Sequence, residues 1–401
     1  IRLLTTRIES GEPYFIFIDH VNRAIPNHHK LAGLNVKMSN LCSEITLPTG
    51  IDKDGQQRTA VCCLSSLNLE NYLEWRDHPT FIEDVLRFLD NVLQDFIDKA
   101  PDSMARARYS AMRERSVGLG VMGLHSFLQS QMVPIESVMA KVWNKRMFEH
   151  IRRDADAASI KLAEERGPCP DAADYGVMER FSNKMAIAPT ASISIICGGS
   201  SPGIEPNVAN SFTHKTLSGS FNVRNRYLKE LLGIYGRDDD DTWSSITVNE
   251  GSVEHLDFLS EPEKAVFKTA FEIDQRWIID LGADRAAFIC QSQSLNVFLP
   301  ADVHKKTLHD VHFRAWQRGV KSLYYCRSKS LQRADVVATK AVAGQSPIMA
   351  LPIAANGNGH MQIVPNGNGH AGNGVAVEPL PLAAASPTAN SGDYEECLSC
   401  Q

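Results

Sequence analysis

A break in composition near residue 341 sets the limits on how this chain can fold. Residues 341–392 carry one charged side chain, Glu378, and no Phe, Tyr or Trp. Asn356-Gly357-Asn358-Gly359-His360 recurs as Asn366-Gly367-Asn368-Gly369-His370, and Pro347, Pro352, Pro365, Pro379, Pro381 and Pro387 punctuate the rest. Such a segment buries too little apolar area to offset the entropy of ordering it. It reads as a flexible linker. The chain therefore divides into a folded part, residues 1–340, and an arm, residues 341–401, that ends on Cys397-Leu398-Ser399-Cys400. A coil of about 50 residues spans on the order of 40 Å. That reach is enough to carry a thiol pair from the surface into a pocket, so the pair reads as an electron shuttle, with an incidental pair as the bland alternative.

The remaining composition narrows the function classes. Lys and Arg number 41 against 47 Asp and Glu, a net charge of −6 with no basic block, which argues against general nucleic-acid binding. No run reaches the roughly 18 apolar residues of a membrane span. No basic start precedes an apolar stretch, so no signal peptide is visible. Nine cysteines in 401 residues are too sparse for a secreted disulfide scaffold. The expectation is a reducing, cytoplasmic setting with mostly buried thiols. The first residue is Ile1 rather than Met, which suggests a piece of a longer protein.

The folded part alternates helix and strand signals. Phe81, Val85, Phe88, Leu89, Val92, Phe96 and Ile97 recur at three- and four-residue spacing and predict an amphipathic helix over 80–99. A second helix is expected over 140–166, stopped at Gly167-Pro168, and a third over 260–282, with Val266, Ala270, Ile273, Trp277 and Ile278 on one face. Short β-type runs occur at Tyr14–Ile18, Ile45–Leu47, Ala60–Leu64, Met185–Ala188 and Ser322–Tyr325. This order predicts an α/β domain with a largely parallel sheet. Gly118-Leu119-Gly120-Val121-Met122-Gly123 matches the dinucleotide-binding glycine pattern, which must follow a strand and open a helix. Here it follows a helix-like run, so close backbone packing inside a helical region is the reading adopted. Asp238–Asp241 reads as a solvated helix start rather than a metal site.

Asn40-Leu41-Cys42-Ser43-Glu44 brings an amide, a thiol and a carboxylate to one face if the segment is extended. No His lies within it, and a neighbouring carboxylate disfavours thiolate, so the local chemistry fits a neutral thiol. A cysteine nucleophile at Cys42, with its base elsewhere, stays open at this level. So does a binding or redox-carrier protein that works only through its tail pair.

Several stretches in order resemble the large (alpha, catalytic) subunit of ribonucleotide reductase. Asn40-Leu41-Cys42-Ser43-Glu44-Ile45-Thr46-Leu47-Pro48 resembles the family's finger loop. Val61-Cys62-Cys63-Leu64-Ser65-Ser66-Leu67-Asn68-Leu69 resembles its redox-cysteine segment, and Gly118–Gly123 its Gly-Leu-Gly-Val stretch. Ala188-Pro189-Thr190-Ala191-Ser192-Ile193-Ser194 resembles its phosphate loop, with Gly203-Ile204-Glu205-Pro206 following. Gln291–Asn296 and Lys321-Ser322-Leu323-Tyr324-Tyr325 complete the match, over about residues 1–335 and the terminal cysteine pair.

The resemblance implies the C-terminal half of a ten-stranded α/β barrel with a finger loop. It implies that Cys42 becomes a transient thiyl radical, that Glu44 is the base at the substrate 3′ hydroxyl and that Asn40 holds the substrate. Cys62 is implied as one of two cysteines that close a disulfide, with Cys63 a buried thiol. Thr190, Ala191, Ser192 and Ile193 are implied to cradle the substrate phosphates, where helix-start N–H groups suit an anion; an ordinary N-cap is the alternative. Tyr324 and Tyr325 are implied to relay the radical, which favours class I over the cobalamin-dependent class. Cys397 and Cys400 are implied to re-reduce the site and to be reduced by thioredoxin or glutaredoxin. Cys169, Cys197, Cys290 and Cys326 match no role and are expected to be buried thiols. No metal or cofactor is expected on this chain itself. The radical would come from a metal-containing beta subunit. The substrate would be a ribonucleoside diphosphate, the alpha chain a homodimer, and ATP and dATP effectors would act on a part upstream. The 401-residue chain alone is expected not to reduce nucleotides.

Overall fold

The computed structural model describes residues 2–329 apart from 217 and 218. Among them are ten strands: β1 (Phe15–Ile16), β2 (Gly50–Ile51), β3 (Gln57–Arg58), β4 (Cys63–Asn68), β5 (Val117–Met122), β6 (Ser211–Thr216), β7 (Gly219–Arg224), β8 (Val297–Pro300), β9 (Ser322–Leu323) and β10 (Cys326–Lys329). The arm and its two cysteines, Cys397 and Cys400, lie outside the described residues.

The pairings that carry the fold are parallel. β4 runs parallel to β5, from Cys63↔Val117 to Asn68↔Met122, joined through the helices Phe81–Lys99 and Ala105–Glu114. Parallel neighbours require such a crossover. Leu119 pairs in parallel with Met185 after the helix Val138–Arg166, and Ile187 pairs in parallel with Gln293. β8 runs parallel to β10 across the helix Lys305–Gln317. This is the expected α/β architecture. The apolar core follows it, from Leu67, Val117, Leu119 and Val121 on the strands to Leu86, Leu89, Phe148 and Ile151 on the helices. A second cluster gathers around Trp243, Leu228, Leu232 and Phe267. No described helix is long and apolar enough to cross a membrane.

Two helices lie where their periodicity predicts, Phe81–Lys99 and Val138–Arg166. The second starts on Ser137, whose side chain accepts from Ala140 N, and stops at Gly167. The buried stripe of the first is Ile82, Leu86, Leu89 and Leu93, while Phe88 is 63 % exposed. The sequence offers two overlapping apolar stripes, and packing against Val138–Arg166 selects the second. The expected helix over 260–282 is two helices, Glu261–Val266 and Gln275–Ala286. Asp274 caps the second by accepting from Arg276 N, an alternative bond that breaks the first path.

The glycine run is not helical. Gly118–Met122 lie in β5, buried throughout. A Cβ on Gly120 would stand 2.5 Å from Ala186 O, and one on Gly118 3.1 Å from Cys62 Sγ. Glycine serves here to let neighbouring strands close up. Asp239 caps the helix Asp240–Val248 through Thr242 N, so the acidic run is a helix start as read.

Candidate functional site

The finger segment is a tight turn, not the extended run expected. Ser43 has φ 68°, Ser43 N donates to Asn40 O at 3.2 Å, and Asn40 N donates to Ile45 O at 3.2 Å. The Asn40 side chain accepts from Ile45 N at 3.1 Å and also bonds Glu44. The left-handed Ser43 breaks the two-residue alternation, yet Cys42 and Glu44 are each only 1 % exposed. They converge because a distant hydroxyl holds them: Ser294 Oγ donates to Cys42 O at 2.6 Å and lies 3.2 Å from Glu44 Oε2. Glu44 Oε1 is buried without a partner. Burial raises the Glu44 carboxyl above its ordinary range, and the bonds from its own backbone, Asn40 and Ser294 only partly offset it.

Gln291 to Asn296 form the platform under this turn. Ser292 N donates to Glu44 O at 2.9 Å, and Thr46 N donates to Gln291 Oε1 at 3.2 Å. Gln291 Nε2 reaches Cys62 Sγ at 3.5 Å and Val117 O at 3.1 Å. One amide therefore ties the finger to the redox-cysteine strand. Lys321 Nζ, buried, donates to the carbonyls of Gln291 at 2.7 Å and Cys290 at 3.3 Å, and burial lowers its ammonium to about 8. Sequence reading matched this stretch to a family motif but gave Gln291 and Ser294 no role. The sequence signal was the run Gln291-Ser292-Gln293-Ser294 alone; the structure shows it buried throughout, where amides and hydroxyls must be bonded.

Tyr324 donates its hydroxyl to Cys42 Sγ at 3.5 Å and is 4 % exposed. The Tyr325 ring lies 4.3 Å from the Tyr324 ring, centre to centre, at 52°. Tyr325 N donates to Asn296 Oδ1 at 2.8 Å, and Asn296 Nδ2 to Glu205 Oε1 at 2.6 Å. Burial first, then the contact with Cys42, pushes the Tyr324 phenol well above the usual tyrosine range. A third ring, Tyr14, touches both; sequence reading placed Tyr14 in a strand and no further.

Cys62 and Cys63 part as neighbours at a strand start do. Cys62 sits at Gln291 and Gly118, while Cys63 opens β4 and packs on the core, half-buried rather than buried. Burial raises the Cys62 thiol strongly, with Gln291 opposing. Cys169 and Cys326 are buried as expected, but Cys290 is half-buried and Cys197 is exposed, at the end of the helix Ala191–Ile196. Thr190 precedes that helix with φ 55° and does not cap it; its Oγ1 accepts from Gly203 N at 2.7 Å. Ala191, Ser192 and Ile193 form its first turn, so their N–H groups precede the first intrahelical donor, Ser194 N to Thr190 O at 3.1 Å.

A parallel α/β arrangement around a buried turn that carries a cysteine and a carboxylate, with a tyrosine pair brought against the cysteine from a distant segment, defines a class. Residues 1–176 and 171–326 match the ribonucleotide reductase barrel domain, and the chain belongs to that family. It is 46 % identical over 339 residues to the ribonucleoside-diphosphate reductase large subunit of Invertebrate iridescent virus 3, covering 84 % of this chain and 53 % of that protein. It is 44 % identical over 330 residues to the putative large subunit of Frog virus 3, covering 82 % and 57 %. The class Id ribonucleotide reductase alpha subunit of Actinobacillus ureae superimposes with a TM-score of 0.76 at 36 % identity, over 83 % of this chain and 61 % of that one. The chain spans about half the length of the two viral relatives. These relatives give no support to a hydrolase.

Proposed function

We propose that this chain is the C-terminal part of the catalytic alpha subunit of a class I ribonucleoside-diphosphate reductase. The observation that carries the reading is the line from Tyr325 through Tyr324 to Cys42, in which the inner phenol is bonded to the sulfur. A phenol can give up an electron and a proton together, so a tyrosine pair can pass an oxidising equivalent to a thiol.

On this reading Cys42 gives its hydrogen atom to the oxidised Tyr324 and becomes a thiyl radical. The thiyl takes the 3′ hydrogen of the ribose. Glu44 takes the 3′-hydroxyl proton, and the 2′-hydroxyl leaves as water. Cys62 and a second cysteine, in the part of the protein these residues do not include, supply two electrons and two protons, one to the departing 2′-hydroxyl and one to C2′, and close a disulfide. Glu44 then returns the proton to the 3′ oxygen and Cys42 the 3′ hydrogen. Asn40 orients the substrate, while the first turn after Thr190 meets its diphosphate with Ala191, Ser192 and Ile193. Cys397 and Cys400, on the arm that begins near residue 341, would exchange with the active-site disulfide and then be reduced by thioredoxin or glutaredoxin. The radical would come from a metal-containing beta subunit, the alpha chains would pair, and ATP and dATP would act upstream.

The test is turnover of ribonucleoside diphosphates by the full-length alpha subunit with its beta subunit. Cys42→Ser and Tyr324→Phe each abolish it while leaving the fold intact. Activity retained in Tyr324→Phe would sink the relay and favour a cobalamin-type radical source.

A further inference from the structure

The segment Gly11–Ile16 is strapped across the tyrosine pair. Phe15 pairs with Leu323 and Ile16 with Ser322, antiparallel, so one further step of that register sets Tyr14 opposite Tyr324. The Tyr14 ring lies 4.8 Å from Tyr324 and 4.9 Å from Tyr325, nearly perpendicular to the latter at 82°. Gly11 closes the other side: it has φ +83°, a Cβ there would stand 3.4 Å from Tyr325 Cδ1, and its carbonyl accepts from Cys326 N at 3.0 Å. Arg7, fully buried, clamps both segments by donating to Pro13 O and, at 2.6 Å, to Tyr324 O.

The Tyr14 hydroxyl donates to Glu12 Oε1 at 3.0 Å, and Glu12 is exposed to solvent. The Tyr14 hydroxyl also bonds that of Tyr325. A hydrogen-bonded path thus leads from the outer relay tyrosine through Tyr14 to a carboxylate in water. We propose that Tyr14 and Glu12 are the proton exit of the radical relay, an inference that rests on the radical reading above. When Tyr325 is oxidised, its electron leaves to the one-electron oxidant of the beta subunit. Its phenolic proton moves to the Tyr14 oxygen as the Tyr14 proton moves to the Glu12 carboxylate. The Tyr325 radical then takes an electron and a proton from Tyr324, and Tyr324 takes both from the Cys42 thiol. One proton is held at Glu12, or released from it to solvent, for each thiyl radical made, and one is taken up when the hole returns.

The physical need is plain. An oxidised phenol that keeps its proton is a cation, and a half-buried aromatic cluster disfavours a new charge. Burial, with the bonds to Tyr325 and Glu12 adding, holds the Tyr14 phenol far above its usual range, so Tyr14 hands a proton on rather than resting as phenolate.

The test uses the full-length alpha subunit with its beta subunit and 3-aminotyrosine at position 325, which holds the radical there. The expected electron–nuclear double resonance signal shows, besides the amino protons of the probe itself, a coupling to one further exchangeable proton hydrogen-bonded to the phenoxyl oxygen, and this coupling is lost in Tyr14→Phe. In the protein with its natural Tyr325, the exposed variant Glu12→Gln should lower kcat at least about tenfold with KM unchanged, and Glu12→Asp should restore part of it. An unchanged coupling in Tyr14→Phe, or an unchanged kcat in Glu12→Gln, overturns the proton exit alone. Absence of any radical at position 325 in the otherwise natural protein overturns the relay reading and this inference with it.

Discussion

The Tyr324 hydroxyl stands 3.5 Å from the Cys42 sulfur across 282 positions of chain. Neither residue is placed by its own neighbours alone. Ser294 holds the Cys42 carbonyl, and Leu295 O accepts from Tyr324 N at 2.9 Å, so adjacent residues of one platform fix both partners. A contact of this kind is sensitive to shifts well under the size of a side chain.

The inner pair should therefore be intolerant of shape change as well as of chemistry. Ser294→Ala removes the bonds to Cys42 O and Glu44 without touching either functional group. We expect kcat to fall about 10–100-fold with the fold retained, which steady-state kinetics on the full-length pair of subunits would check.

In the proposed reaction Glu44 would act as a base only when ionised, and burial raises its carboxyl above 4.5. The acid limb of the kcat/KM profile should thus lie above the ordinary carboxylate value, and activity should be lost as pH falls through it. Glu44→Gln should cost about 10²–10⁴ in kcat and remove that limb. A pH–rate profile decides it.

The terminal cysteines should matter for cycling and not for chemistry. Cys397→Ser with Cys400→Ser should leave about one product per pre-reduced active site but no sustained turnover with thioredoxin. Rapid-quench and steady-state assays on the same protein separate the two.

Gly120→Ala puts a Cβ 2.5 Å from Ala186 O, a backbone atom of the neighbouring strand. A loss of about 1–3 kcal/mol is expected, read from urea unfolding of the full-length protein.

Glu114 is wholly buried, accepts from Ser116 Oγ at 2.8 Å through Oε2, and leaves Oε1 unpartnered. Burial pushes its carboxyl up to about 7 from 4.5. The folded state then binds the extra proton between those values, so this group's contribution weakens as pH rises from about 4.5 to 7, by about 3 kcal/mol. Glu114→Gln should be more stable than the parent at pH 8 and lose that advantage near pH 4. Unfolding midpoints at both pH values measure it.

Local pattern carried much of the fold. The helices over 80–99 and 140–166 were legible because their apolar period is a property of neighbouring residues. The α/β class followed from their alternation with short strands, and the ordered motifs pointed to the reductase family. The errors share one cause. Gly118–Gly123 read as helical, Asn40–Glu44 as extended and 260–282 as one helix because a short window holds no information about what packs on it.

What the amino-acid sequence by itself determined is the set of parts: which segments bury an apolar face, and which residues have the chemistry of a thiol, a carboxylate and a phenol. Tertiary structure decided which parts meet. The bonds from Gln291 to Cys62, from Ser294 to Cys42 and from Tyr324 to Cys42 close over 229, 252 and 282 residues. The register Phe15↔Leu323 that lays Tyr14 against Tyr324 and Tyr325 joins opposite ends of the folded part. Strand register at such separations is set by the whole packed sheet, since a slip of one residue turns every side chain to the other face.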